Sequence, residues 1–369
     1  MADTTVLSGL ELTKWKEDFL RETVRDTGFK AYMGESSSDI IQTIGDLKSS
    51  GYTIRVPLLG RLQATGVAGS TALSGAEEVF DQYYQDITWE YYRNAVKFSK
   101  KELEKSAVEL RGAARPSLKE WVSELIKYQL ITSFHKTSGT TAFSAATAAE
   151  KNTFAVNNVD RILFGATEAN YSATHLTGLG TVDNTADKLT TGQASLARFM
   201  ARNARPMIKP YKTGTQGREY YVMFCHPLCF RDLKQDTVMT AANRDARPRD
   251  VDANPLFQDG DLVWDGIIFR EIPEFYRARQ GTGTNNDTHL TSVGASSINV
   301  GANFLCGAQA IGFVNKQMPL PTTLENKDYG FFEGHGVEVA HGIDKLRWNN
   351  GSGLNKDNGI VTVYSAAVS

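Results

Sequence analysis

Apolar residues recur along this chain with two periods, and the changes of period mark its elements. Over residues 8–27, Leu12, Trp15, Phe19 and Val24 fall on one face behind a Ser8–Glu11 start signal, which predicts an amphipathic helix. Nothing adjacent offers a face to cover Trp15 and Phe19, so both are expected to pack on another surface, including one of a second subunit. Residues 36–47 predict a second short helix with Ile40, Ile41, Ile44 and Leu47 inward. The period then drops to two. In 52–59 Tyr52, Ile54, Val56 and Leu58 alternate with Thr53, Arg55 and Pro57, and 86–98 aligns Ile87, Trp89 and Tyr91. Both segments read as half-buried strands. Pro57 cannot donate to a ladder, so it places its strand at an edge or in a free ribbon. The connection 60–85, with Gly60, Gly66, Gly69 and Gly75, is longer than compact domains usually tolerate. A two-stranded ribbon is marginal alone in water and is expected to find its support elsewhere.

Helical periodicity returns at Ser99–Glu102, a capping box opening a helix with Leu103, Ala107 and Leu110 on one side and Gly112 at its end. Pro116 breaks that pattern, and Ser117–Glu120 then caps a long helix over 118–135 with Leu118, Trp121, Val122, Leu125 and Tyr128 along its stripe. Residues 138–155 are rich in Ser, Thr and Ala and predict a loop or weak helix. A helix follows over 189–204, with Leu189, Ala197 and Met200 inward, and a buried strand over 220–225. Residues 281–300 read as an exposed insertion. Residues 331–348 predict a strand pair or bent strand, and Asp357-Asn358-Gly359 turns the chain into 360–364 as a hairpin.

A length of 369 residues allows two or three domains, and 41% hydrophobic with 22% charged residues is ordinary for a globular chain. The net charge of −2 lacks the cationic excess of a tight nucleic-acid binder. Three cysteines, Cys225, Cys229 and Cys306, are too few for a disulfide framework. The first residues lack the basic and apolar regions of a signal peptide, and no apolar run approaches the ~20 residues that span a bilayer. Charge is uneven. Residues 77–90 hold five acids (Glu77, Glu78, Asp81, Asp86, Glu90) and no base, while 198–218 hold six bases, Arg198, Arg202 and Arg205 among them, and no acid. Residues 93–115 carry seven bases and three acids, a balance of +4.

Candidate chemistry is sparse. Cys225, His226 and Cys229 lie close together, but a structural zinc site wants four ligands, and buried cysteines commonly serve as small hydrophobes. His335 and His341 are six residues apart, ~20 Å along a strand at ~3.3 Å each, too far for one metal. No nucleophile elbow or phosphate loop occurs. Asp259, Asp261 and Asp265 border turns, where carboxylates more often cap than catalyse.

Three blocks occur in a recognisable order. The first is YYVMFCHPLCFRDLKQD (220–236), a strand running into a His-Pro helix start. The second is ANPLFQDGDLVWDGIIFREIP (253–273), with its Asn-Pro-Leu-Phe turn, Gly loop and strand ending in Pro. The third is FLCGAQAIGFV (304–314). Together they resemble the major capsid proteins of tailed bacteriophages, and the resemblance covers most of residues 40–350. It implies an α+β chain with the Hong Kong 97-type capsid fold. The expected layout is an N-terminal arm (1–50), an extended E-loop ribbon and short helix (51–115), a peripheral domain (116–190) with spine helix 118–135, an axial domain (191–315) carrying the insertion 281–300, and C-terminal strands (316–369) returning to the peripheral domain. It implies a structural protein with no catalytic residue, cofactor or metal, which self-assembles into pentameric and hexameric capsomers of an icosahedral head around double-stranded DNA. Its place would be the virion, after assembly in the bacterial cytoplasm. Expected partners are further copies of the chain, a separate scaffolding protein (no long helical prefix precedes the arm), a portal, a decoration protein and packaged DNA held non-specifically, with no membrane. Candidate assembly contacts are Trp15 and Phe19 in the arm, Arg55 in the ribbon, Glu77, Glu78 and Asp81 in the acidic loop, and Arg198, Arg202 and Arg205 in the basic segment. Gly51, Gly60 and Gly112 are candidate hinges. Two alternatives remain open: a bacterial nanocompartment (encapsulin-like) shell enclosing enzymes, and a soluble α/β hydrolase or metalloenzyme, which would need a convergent catalytic cluster.

Overall fold

The computed structural model describes the chain apart from residues 1–27, 45–50, 63, 70–71, 106–109, 138–140, 214–217, 246–261, 280–282, 328, 330 and 352. The expected arm helix, with Trp15 and Phe19, and the first half of the 253–273 block therefore lie outside the described residues. In chain order the strands are β1 (Met33–Gly34), β2 (Ile41–Ile44), β3 (Thr53–Leu59), β4 (Gln82–Thr88), β5 (Glu90–Ser99), β6 (Ile162–Phe164), β7 (Tyr211–Thr213), β8 (Arg218–Cys225), β9 (Leu262–Trp264), β10 (Ile267–Glu271), β11 (His289–Leu290), β12 (Val300–Cys306), β13 (Ile311–Lys327), β14 (Phe332–Lys345), β15 (Arg347–Asn349), β16 (Asn355–Asp357) and β17 (Ile360–Ala366).

The centre is a sheet of order β6-β17-β12-β8-β10-β9, with β11 added to β12 and β7 to β8. All seven residues of β12 and of β17 are buried, as expected of strands covered on both faces. Alternation divides these strands between two cores. Val222, Phe224, Phe304 and Tyr364 face a cluster built on the long helix Leu110–Phe134, where Phe134 lies 5.2 Å from Phe224 and 5.7 Å from Phe304. Tyr221, Met223, Leu305, Val361 and Val363 face the helices Thr191–Asn203 and Pro227–Gln235. A second sheet, β1-β2-β13-β14-β5, extends from the first core. Its length comes from β13 and β14, antiparallel strands of 17 and 14 residues.

Several expectations are met. The Ser99–Glu102 box forms reciprocally, with the Ser99 N–H bonded to the Glu102 carboxylate at 3.1 Å and the Glu102 N–H to the Ser99 hydroxyl at 3.3 Å. Leu189, Ala197 and Met200 are buried. Other expectations need correction. Residues 36–44 do not form a helix: they bend into β2, whose Ile41 joins β13, because pairing in the sheet outweighs a four-residue helical periodicity. The long helix begins at Leu110, so Pro116 lies inside it and Gly112 is no terminus. A proline removes one backbone bond at a cost of ~3 kcal/mol. The buried stripe beyond it, Leu118, Val122, Leu125, Ile126, Leu130, Ile131 and Phe134, contributes about 1.5–3 kcal/mol per side chain and holds the helix in place. Ala148–Asn157 is a full helix with a Thr147–Glu150 capping box, rather than a loop. Residues 283–300 are not an exposed insertion: Asn285, Asp287, Thr288, His289, Leu290 and Val300 are buried, and β11 pairs with β12. Asp357-Asn358-Gly359 is not a hairpin turn either, since β16 pairs with β15 while β17 enters the central sheet.

Candidate functional site

Among the described residues β3 and β4 pair only with each other, in register from Thr53↔Thr88 to Leu59↔Gln82. Pro57 fits because its strand has a free edge. With seven residues per strand, the ribbon reaches roughly 23 Å at ~3.3 Å per residue. Its two faces differ. Ile87 is fully buried with Val314 and Leu346, and Ile54 and Val56 pack beside them. Tyr83 meets Trp348 edge-on at 5.2 Å. On the other face Arg55 grips Asp86 with two bonds of 2.7 and 2.8 Å, its guanidinium 4.1 Å above the Tyr84 ring. Those bonds lower the Asp86 pKa below the ordinary carboxylate value. The chain leaves the ribbon at Trp89, whose indole N–H donates to the Gly51 carbonyl at 2.7 Å, and continues as β5 in the second sheet.

The loop between β3 and β4 is ordered by its own carboxylates. Glu78 accepts the Ala64 N–H at 2.8 Å and Glu77 the Gly75 N–H at 2.7 Å, while the Gly60 N–H donates to the Asp81 carbonyl at 2.9 Å. Gly75 sits at φ 91°, a region glycine enters without strain. Glu77, Glu78 and Asp81 thus shape the loop while staying exposed at its surface. The same stretch leaves six large apolar side chains in solvent: Leu59, Leu62, Val67, Leu73, Val79 and Phe80, with Val79 84% exposed. Among the described residues, this run of exposed apolar side chains is a surface that its own chain leaves uncovered.

The basic candidates sit on the helix Thr191–Asn203 and its exit. Arg198 is turned to the Asp265 carboxylate and lies over Gly266, which at φ 69° leaves the space the guanidinium occupies. Its charge is therefore largely compensated within the chain. Arg202 and Arg205 are exposed, next to exposed Phe199 and Met207.

Cys225, Cys229 and Cys306 are all buried, and burial pushes the Cys229 thiol up to about 12, away from nucleophilic use. His341 is buried against Tyr92 and bonded to Gln129, its pKa lowered to about 4 by burial. Among the described residues no cluster of three or more His, Cys, Asp or Glu side chains suits a metal, and no helix is long and apolar enough to cross a membrane. A feature missed in the sequence is a buried ionic knot where β14 meets β15 and β16. Lys345 bonds Asp357 at 2.7 Å, Arg347 reaches Asp357 at 3.4 Å and Asp344 at 3.8 Å, and Lys136 approaches Asp344 at 3.6 Å. The only signal for it was the run Asp344-Lys345-Leu346-Arg347, which looks like any solvated strand end.

With this geometry in hand, comparison with known proteins is specific. A family model described as phage capsid protein matches residues 3–369. The major capsid protein of Pseudomonas phage KPP25 is 26% identical over 380 residues, covering 98% of this chain and 96% of that protein. The cyanophage Pam1 capsid asymmetric unit superposes with a TM-score of 0.81 at 32% identity, covering 93% of each chain. The capsid of Ralstonia phage GP4 gives 0.69 at 18% identity, over 93% of this chain and 92% of that one.

Proposed function

Because this chain belongs to the phage capsid protein family and is a structural major capsid protein, we propose that it builds pentameric and hexameric capsomers of an icosahedral head enclosing double-stranded DNA. Its fold is the Hong Kong 97-like α+β fold expected from the signature blocks. On this reading residues 1–50 are the arm, 51–115 the E-loop ribbon and its helix, 116–190 the peripheral domain, 191–315 the axial domain, and 316–369 the returning strands. The observation that carries it is the ribbon: seven paired residues per strand, rooted at Ile87 and ending in a loop with six solvated apolar side chains. Such a display costs solubility in a monomer and is stabilised when a second copy covers it.

Heterologous contacts between identical chains close into rings, and rings into a shell. Each contact needs only modest affinity, because a closed shell makes every further contact intramolecular. In this arrangement Glu77, Glu78 and Asp81 set the register of the loop on a neighbour, opposite exposed cations such as Arg202 and Arg205. Arg55, paired with Asp86 within the ribbon and exposed, remains a proposed contact to the neighbour. Trp15 and Phe19 remain proposed arm contacts. A scaffolding protein, a portal and a decoration protein complete the assembly, and DNA is held without sequence preference, in keeping with the net charge of −2.

The test is to replace residues 62–79 with a short Gly-Asn turn and examine the product by sedimentation and electron microscopy. We expect a folded subunit, with unchanged far-ultraviolet circular dichroism, that forms no closed shells. Normal shells in normal yield from this variant would overturn the role given to the loop.

A further inference from the structure

The segment 286–293, partly buried, forms one wall of a cavity of about 430 Å³. Its other walls come from the helices Ala148–Asn157 and His175–Leu179, and Phe143, Leu179 and Leu290 give it an apolar lining. Two buried histidines, His175 (1% exposed) and His289 (2% exposed), also line it. Each is held from behind by a chain of hydrogen bonds that dictates which ring nitrogen carries the proton.

The first chain starts at the Asp287 carbonyl, which can only accept, so His135 carries its proton on Nδ1. His135 Nε2 is then an acceptor, to which the Tyr364 hydroxyl donates at 2.7 Å. The Tyr364 oxygen in turn accepts from His175 Nε2–H at 2.9 Å. His175 is left with a bare lone pair on Nδ1, for which the described residues offer no partner. The second chain starts at the Leu228 N–H, which donates to His226 Nδ1 at 3.3 Å. His226 therefore donates from Nε2 to His289 Nδ1 at 3.1 Å. His289 is left with an Nε2–H donor, again without a hydrogen-bond partner among the described residues; its ring is flanked by Tyr276, 4.9 Å away edge to face. Burial holds both histidines neutral, lowering His175 to about 3 and depressing His289 as well. Lys151 also lines the cavity, its ammonium 4.5 Å from the Phe143 ring.

The outcome is a cavity with an apolar floor of Phe143, Leu179 and Leu290 and a partly polar wall, in which the two histidines present one fixed acceptor and one fixed donor, each preorganised by a network that a ligand need not disturb. We propose that this cavity binds a neutral amide group on an apolar stem. An amide oxygen suits the His289 Nε2–H, and an amide N–H suits the His175 Nδ1 lone pair. A carboxylate would face the His175 lone pair with no proton to give, and a hydrocarbon would leave both ring nitrogens unmatched. Lys151 at the wall disfavours a cationic ligand. The amide belongs either to a free small molecule or to an Asn or Gln side chain of a neighbouring copy.

The probe is benzamide, titrated by calorimetry and ligand-observed nuclear magnetic resonance into free subunits and into assembled particles, with benzoate and toluene as comparators. We expect benzamide to bind free subunits about tenfold more tightly than either comparator. His289→Phe and His175→Phe should remove that preference while toluene still binds. Should either variant fail to fold, Ala148→Trp, at an exposed position on the rim, should abolish benzamide binding with the fold intact. Binding to free subunits that is blocked in particles would assign the cavity to a neighbour's side chain, and binding to both would assign it to a free molecule. No binding of benzamide to free subunits, or binding no tighter than toluene, would overturn the proposal.

Discussion

Two ion pairs of the same length show how differently the two halves of this molecule are built. Arg55–Asp86 on the ribbon and Lys345–Asp357 at the root of the second sheet both measure 2.7 Å. The ribbon pair has side chains 62% and 35% exposed, whereas the buried pair is 0% and 2% exposed. Water screens the first, so that it adds little to stability. The second has lost its hydration and depends on partners from every side: Arg347, Asp344 and Lys136 as well as Asp357. The ribbon is thus held by register and by one apolar root at Ile87. The body is held by buried apolar clusters in which charged groups such as Lys345 and Asp357 are paired with one another. A shell protein needs both: a body that does not yield, and an extension shaped to be completed by something else.

Acid should separate the regions most strongly. His135, His175, His226, His289 and His341 are buried with pKa values lowered mainly by desolvation, to about 3 for His175 and His226. A lowered histidine binds its proton more readily unfolded than folded. Each therefore contributes stability that is present above the unfolded value of about 6.5 and lost as pH falls below it, by about 1.4 kcal/mol per pH unit. For His175, His226 and His341 together, the loss by pH 4.5 is on the order of 8 kcal/mol, the size of a typical domain's stability. Denaturant unfolding of free subunits between pH 7 and 4.5 should show this fall, with uptake of up to about five histidine protons per chain. Residues 51–99 contain no histidine, so protection lost in hydrogen exchange should begin in the body. A stability unchanged down to pH 5 would refute this account.

The ion pairs offer a second, smaller contrast. Asp357→Ala should destabilise the chain by about 3–5 kcal/mol, since it strands the Lys345 ammonium in the interior, while Arg347 keeps Asp344. A loss below about 1 kcal/mol in urea titrations would mean that water reaches the knot. Arg55→Ala should leave the same titrations nearly unchanged, because water already screens the pair. Its effect should appear instead as slower or less uniform shell assembly, because a straight ribbon is needed only when it meets a neighbour.

Much of this was legible along the chain wherever the deciding forces are local. The alternation of 52–59, the edge position implied by Pro57, the Ser99–Glu102 box and the inward face of the helix Thr191–Asn203 depend on neighbours within a few residues, and all are found. The acidic loop was visible as charge, but not its use of Glu77 and Glu78 to hold its own backbone, which requires Gly75 and Ala64 to come within reach. The full length of β13 went unseen because Pro319 and Pro321 interrupt its pattern; Pro319 falls in the register shift between Gln317 and Leu320, and Pro321 still pairs with Val337, an arrangement that exists only once β14 lies alongside.

By itself, then, the sequence determined which segments alternate, where helices are capped, and the signature blocks that mark a capsid chain, because periodicity, caps and turns are set by residues close in the chain. Only the tertiary structure decided which sheet each strand enters, the burial of 283–300, the passage of a helix through Pro116, the ionic knot around Asp357 and the proton positions on His175 and His289. These depend on residues tens to hundreds of positions apart, and the energy of a buried charge or a shared proton is set by what surrounds it in space.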